Sequence, residues 1–122
     1  MRAIAFVGLC LMAMTGFAQK SMADMDKKER AMLASIEKTQ VAAKAAHSKK
    51  PTSETKKGLI TANLKLADAV LVSPALAPKD KYPKSLRLYR EVKALDPANK
   101  AAKEKIALIE GIYKSMGRPI PK

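Results

Sequence analysis

Tyr82-Pro83-Lys84-Ser85-Leu86-Arg87-Leu88-Tyr89-Arg90-Glu91-Val92-Lys93-Ala94-Leu95-Asp96-Pro97-Ala98-Asn99 is the stretch that decides the fold of this chain. Leu86, Tyr89, Val92 and Leu95 recur every three residues, and Leu88 joins Val92 and Leu95 at four and three. That spacing makes one apolar stripe on a helix. Ser85 is a small residue one position before the stripe, where a neighbouring helix can come close. Asp96 is a good N-cap residue, and Pro97 after it would take the first helical position, where a missing N–H costs nothing. The segment predicts a helix, a tight turn and a second helix beginning at once.

The same segment resembles the second helix of a tetratricopeptide (TPR) repeat running into the Asp-Pro turn that opens the next repeat. The family pattern has an aromatic early in that helix, a small residue three later, an aromatic four after that, and a closing Leu-Asp-Pro-x-Asn. Tyr82, Ser85, Tyr89, Leu95, Asp96, Pro97 and Asn99 stand in register with it. The resemblance covers 18 residues. It implies an all-α fold of antiparallel helical hairpins, a TPR-like α-solenoid fragment of about four helices, which offers surfaces to partner proteins rather than an active site.

Outward from this segment, the remaining helices follow from periodicity. A first helix is predicted from about Asp24 to His47, rich in Ala, Lys, Met and Glu. Its stripe of Met25, Glu29, Leu33, Ile36, Gln40, Ala43 and His47 is regular but small or polar, and promises only a weak lid. Thr52 or Ser53 can cap a second helix over about Glu54–Val72. There Ile60, Leu64, Ala67 and Leu71 form one stripe, which Leu59, Ala62, Leu66, Ala69 and Val70 broaden. Ser73-Pro74 stops that helix. The connection Pro74–Asp80 is longer than the turn inside a TPR repeat, and Asp80 can cap the helix that holds Tyr82. A fourth helix, about Ala98–Met116, carries Ala102, Ile106, Ile109, Tyr113 and Met116 at four, three, four, three. Gly117 suits its C-cap and Arg118-Pro119 prevents continuation. With no helix after it, this one reads as a terminal cap of the kind repeat arrays need. Packing of the third and fourth helices is expected around Leu86, Tyr89, Val92, Ile106, Ile109 and Tyr113.

Residues 1–18 read as a signal peptide. Arg2 precedes an apolar run too short to span a bilayer, and Gly16-Phe17-Ala18 places small residues one and three before a cut after Ala18. Leu9 is too bulky for Cys10 to be a lipid-attachment site. The expected organisation is therefore signal peptide 1–18, an N-terminal Lys/Ala-rich helix within 19–52, a TPR-like helical domain with its capping helix at 53–117, and a tail at 118–122. The expected location is the periplasm or the cell exterior. No transmembrane span is expected after cleavage, and the mature chain holds no cysteine, so neither disulfide nor thiolate chemistry is open to it.

The full chain carries a formal charge of +13. Loss of Arg2 leaves 23 basic against 11 acidic side chains, or +12. Such an excess implies affinity for something anionic, with envelope material as one candidate. The cations are spread as the doublets Lys27-Lys28, Lys49-Lys50 and Lys56-Lys57 and as single lysines, with no interleaved aromatics for base stacking, which argues against nucleic acid. His47 is the only histidine and has neither a cysteine to activate nor a second histidine for a metal. The carboxylates are scattered and the glycines isolated, so no acid–base pair or phosphate loop emerges. The sequence points to a non-enzyme without cofactor or metal: a protein–protein interaction module with an unidentified protein partner or a second copy of itself. A basic binder of anionic polymers is the alternative. Leu59, Leu66 and Val70 on the wide face of the second helix are the expected partner-binding residues.

Overall fold

The computed structural model describes residues 2–122, with side chains described from Met22 onward. The expected signal segment 1–18, with its cut after Ala18, lies outside the residues whose side chains are described. The described residues form four helices: α1 (Arg2–Lys49), α2 (Ser53–Val72), α3 (Pro78–Leu95) and α4 (Lys100–Ser115). The described residues contain no strand, and the fold is all-α, a succession of helical hairpins. Packing follows chain order, α1 on α2, α2 on α3 and α3 on α4. Short connections leave successive helices no other arrangement.

The start of each helix follows from its capping chemistry. Thr52 caps α2 in a reciprocal box: its Oγ1 accepts from the Thr55 N–H at 3.1 Å, and the Thr52 N–H donates to Thr55 Oγ1 at 2.9 Å. α3 begins earlier than its sequence suggests. Pro78 opens it after Ala77, and Asp80 lies in the first turn instead of at the cap, favourable there for a negative charge. The connection from α2 is thus only Ser73–Ala77. Its carbonyls are tied down from both sides, Arg30 Nη2 donating to Ala75 O at 2.9 Å and Lys81 Nζ to Ser73 O at 2.9 Å.

The start of α4 also departs from expectation. Asp96 does not cap it. Asp96 closes α3, its N–H donating to Val92 O at 2.8 Å, while its carboxylate accepts from the Ala98 N–H at 3.3 Å. Asp96-Pro97-Ala98-Asn99 forms a turn closed by the Asn99 N–H on Asp96 O at 3.0 Å, and Asn99 caps α4 by accepting from the Ala102 N–H at 3.0 Å. An Asp-Pro pair serves as well for the first two positions of such a turn as for an N-cap and first helical residue. A second capping residue three positions on tips the balance.

At its other end α4 finishes in a Schellman motif. The Arg118 N–H reaches Tyr113 O at 3.0 Å and the Gly117 N–H reaches Lys114 O at 3.1 Å. Gly117 has φ +65°, and a Cβ there would touch nothing. Gly117→Ala is therefore expected to cost about 1 kcal/mol from backbone strain alone. Gly111 is helical and equally unobstructed, so Gly111→Ala is expected to raise stability by about 0.5–1 kcal/mol. Chemical denaturation of the two variants checks both signs.

The core runs through the three later helices. Leu66, Ala67 and Val70 of α2, Leu86, Leu88 and Tyr89 of α3, and Ile106, Ile109 and Tyr113 of α4 form one cluster, which Leu33 of α1 joins. Ser85 is fully buried where α3 meets α2, and its Oγ donates to Ala67 O at 3.3 Å. Tyr82 meets Tyr113 edge-on in the seam between α3 and α4, ring centroids 6.5 Å apart. The tail turns back, and Ile120 packs against this cluster. No described helix is long and apolar enough to cross a membrane.

Candidate functional site

Leu59, Leu66 and Val70 do not form an exposed surface. They are 6%, 2% and 1% exposed, turned into the molecule. α1 covers this face more completely than its residue types suggest, because its polar position is matched. Gln40 is buried and its Nε2 donates to Asn63 Oδ1 at 2.8 Å. Asn63 in turn donates from Nδ2 to Glu91 Oε2 at 3.0 Å, and Lys44 of α1 stands 3.7 Å from Glu91 Oε1. A carboxylate can only accept, so Glu91 fixes the orientation of the Asn63 amide, and Asn63 fixes that of Gln40. The relay links α1, α2 and α3. Leu66→Ala is expected to cost about 3 kcal/mol in chemical denaturation, as an interior truncation would; an exposed docking residue would cost little.

A second polar link spans α2 and α3. Tyr89 is fully buried, yet its hydroxyl donates to the Asp68 carboxylate. Burial, reinforced by that bond and by the negative charge of Asp68, holds the phenol well above the usual tyrosine range. Among the described residues no buried side-chain nitrogen or oxygen lacks a hydrogen-bond partner. His47 lies half-buried, Nδ1 3.1 Å from Thr55 Oγ1, at the hinge of α1 and α2. No group of three His, Cys, Asp or Glu side chains suited to a metal occurs among the described residues.

The motif residues Tyr82, Ser85, Tyr89, Leu95, Asp96, Pro97 and Asn99 divide between interior and turn. Ser85 and Tyr89 are in the core, Tyr82 is in the α3–α4 seam, and Asp96, Pro97 and Asn99 build the turn. Leu95 is half-buried at the end of α3.

A wide concavity lies elsewhere, on the opposite side of α3. Asp80, Pro83, Lys84, Arg87, Glu91 and Ala94 repeat at helical spacing along that outward face. With Lys79, Arg90 and the tail residues Pro121 and Lys122 they line an open groove of about 720 Å³. The far wall is held by Arg90, whose Nη1 donates to Pro121 O at 2.7 Å and whose Nη2 lies 3.6 Å from Glu110. Lys84 pairs with Glu37 of α1 at 2.8 Å. Lys79, Arg87 and Lys122 make no ion pair among the described residues, leaving a net positive groove. No reading of the sequence reaches this groove, since it exists only once the tail has folded back on α3.

Comparison with protein-family models, with curated proteins and with solved structures gave no match for this chain.

Proposed function

We propose that the chain is a non-enzymatic protein–protein interaction module, a small TPR-like helical scaffold exported to the periplasm or cell exterior after cleavage behind Ala18. The observation that carries this reading is the division of labour along α3. Its inner face, Ser85, Leu86, Tyr89 and Val92, is spent on the core, while its outer face is a groove with unneutralised cations. A helix that buries one side and presents the other is what an interaction scaffold needs. The Tyr82–Asn99 segment adds the TPR-like pattern, and the N-terminal 18 residues supply the export signal.

Intact-mass analysis of the chain from its own host tests the export part: the expected species begins at Gln19, and a membrane-held species retaining Met1–Ala18 overturns it. Affinity purification of the same material in a salt series tests the binding part. Retention of a defined protein partner at about 0.5 M salt, where exposed charges are screened, is the expected result. The charge of +12 left after cleavage (23 basic against 11 acidic side chains) favours a second reading, a peripheral binder of anionic envelope polymers. That reading is the outcome if only polymer is recovered and salt releases it.

A further inference from the structure

The groove between α3 and the tail has a chemistry of its own. Its middle carries Arg87, three residues beyond the Lys84 that pairs with Glu37, and Asp80 and Glu91 stand towards its two ends. Those carboxylates are 11 residues apart, about 16 Å along the helix, room for roughly five extended residues. Arg87 is exposed, at the centre of this span, and makes no ion pair among the described residues. Its guanidinium suits bidentate capture of a carboxylate. Pro83, Ala94 and Pro121 give the groove apolar surface between the charges. Pro83 also has no N–H to close on the Lys79 carbonyl, so that acceptor lacks its usual helical donor.

We propose that this groove binds a short acidic protein segment in extended form, one carboxylate on Arg87, a flanking apolar side chain against Pro83 or Pro121, and a second carboxylate towards Lys79 or Lys122. The inference rests on the interaction-module reading and names its site and partner chemistry. Three features favour a peptide over other anions. No aromatic lines the groove, so nucleic-acid bases find no stacking surface. Asp80 and Glu91 would repel a polymer with a charge on every unit, whereas a peptide can place neutral residues opposite them. The apolar lining of Pro83, Ala94 and Pro121 matches side chains that a polyphosphate lacks.

The test uses the chain purified from its host and a fluorescein-labelled decapeptide of alternating Glu and Leu or Ala, read by anisotropy at about 0.15 M salt. Saturable binding is expected, weakened at least tenfold by Arg87→Glu and several-fold by Lys79→Glu, with Arg87→Lys intermediate. Lys103→Glu on the outer face of α4 removes the same charge away from the groove and is expected to leave binding within twofold. Circular dichroism verifies the fold of each variant, and Lys79→Glu carries the test if Arg87→Glu misfolds. Equal weakening by Lys103→Glu and Arg87→Glu overturns the proposal, as does an oligothymidylate or polyphosphate of equal charge that binds more tightly than the peptide. A host partner retained unchanged by Arg87→Glu also overturns the groove while leaving the module reading intact; absence of any host protein partner sinks the module reading itself.

Discussion

Tyr89→Ala is expected to lower stability by about 3–4 kcal/mol, read as an earlier midpoint in urea with little change in slope. The ring sits at the centre of the core cluster, 0% exposed, and its removal leaves a cavity bounded by residues of α2, α3 and α4. Tyr89→Phe separates ring from hydroxyl. It keeps the packing and frees the exposed Asp68 carboxylate to bind water, so a loss of only about 1 kcal/mol is expected. The hydroxyl also gives a pH signature. Folding raises the phenol pKa, so above about pH 10 the unfolded chain releases a proton that the native chain keeps. The stability linked to Tyr89 is complete below that pH and declines as the pH rises further. In Tyr89→Phe this contribution to the alkaline slope should vanish, and an unaltered slope would show that the buried phenol does not govern it.

The second large effect is expected at Asn63. Asn63→Asp replaces the amide that donates to Glu91 by a carboxylate, placing like charges about 3.0 Å apart at a fully buried position. Gln40 can still donate to the new side chain, and Lys44 lies near enough to offset part of the repulsion. The net loss is expected to be about 3 kcal/mol, the cost of leaving a buried charge without compensation. Asn63→Leu differs in kind: Gln40 then loses its acceptor while the half-buried Glu91 keeps Lys44, and about 1–2 kcal/mol is expected. Urea unfolding of both variants checks the order. A milder Asn63→Asp would mean that the relay is wetter than its burial indicates.

Legibility in the sequence tracked the size and chemistry of the side chains involved. Leu86, Tyr89 and Val92 on α3 and Ile106, Ile109 and Tyr113 on α4 are large and regularly spaced, and they are the interior. The α1 register was equally legible: Leu33 and Gln40 are buried, and Ile36, Ala43 and His47 half-buried, although Met25 is 67% exposed. What the register could not convey was that Gln40 has a matched amide on α2, so a stripe read as a weak lid covers Leu66 and Val70 fully. α2 is apolar over so much of its circumference that periodicity alone does not choose its buried side. The Asp-Pro turn fits two backbone conformations, and only its contacts separate them. Asp68 and Glu91 read as scattered surface carboxylates because their partners, Tyr89 and Asn63, lie 21 and 28 residues away. The groove was hidden for the same reason: Arg90 and Pro121 meet across 31 residues.

Packing in chain order also governs how the molecule comes apart. Among the described side chains, α1 places Leu33 and Gln40 in the buried interior, whereas α3 contributes Ser85, Leu86, Leu88, Tyr89 and Val92. Peeling α1 from α2 exposes far less apolar surface than global unfolding does, so the last turns of α1 should exchange their amide hydrogens through a sub-global opening, at lower free energy than the amides of α3. The outermost layer sheds first. Proteolysis of the native chain is then expected to follow the detachment of one helix, with Leu33 and Gln40 tuning it more than the deeper Tyr89.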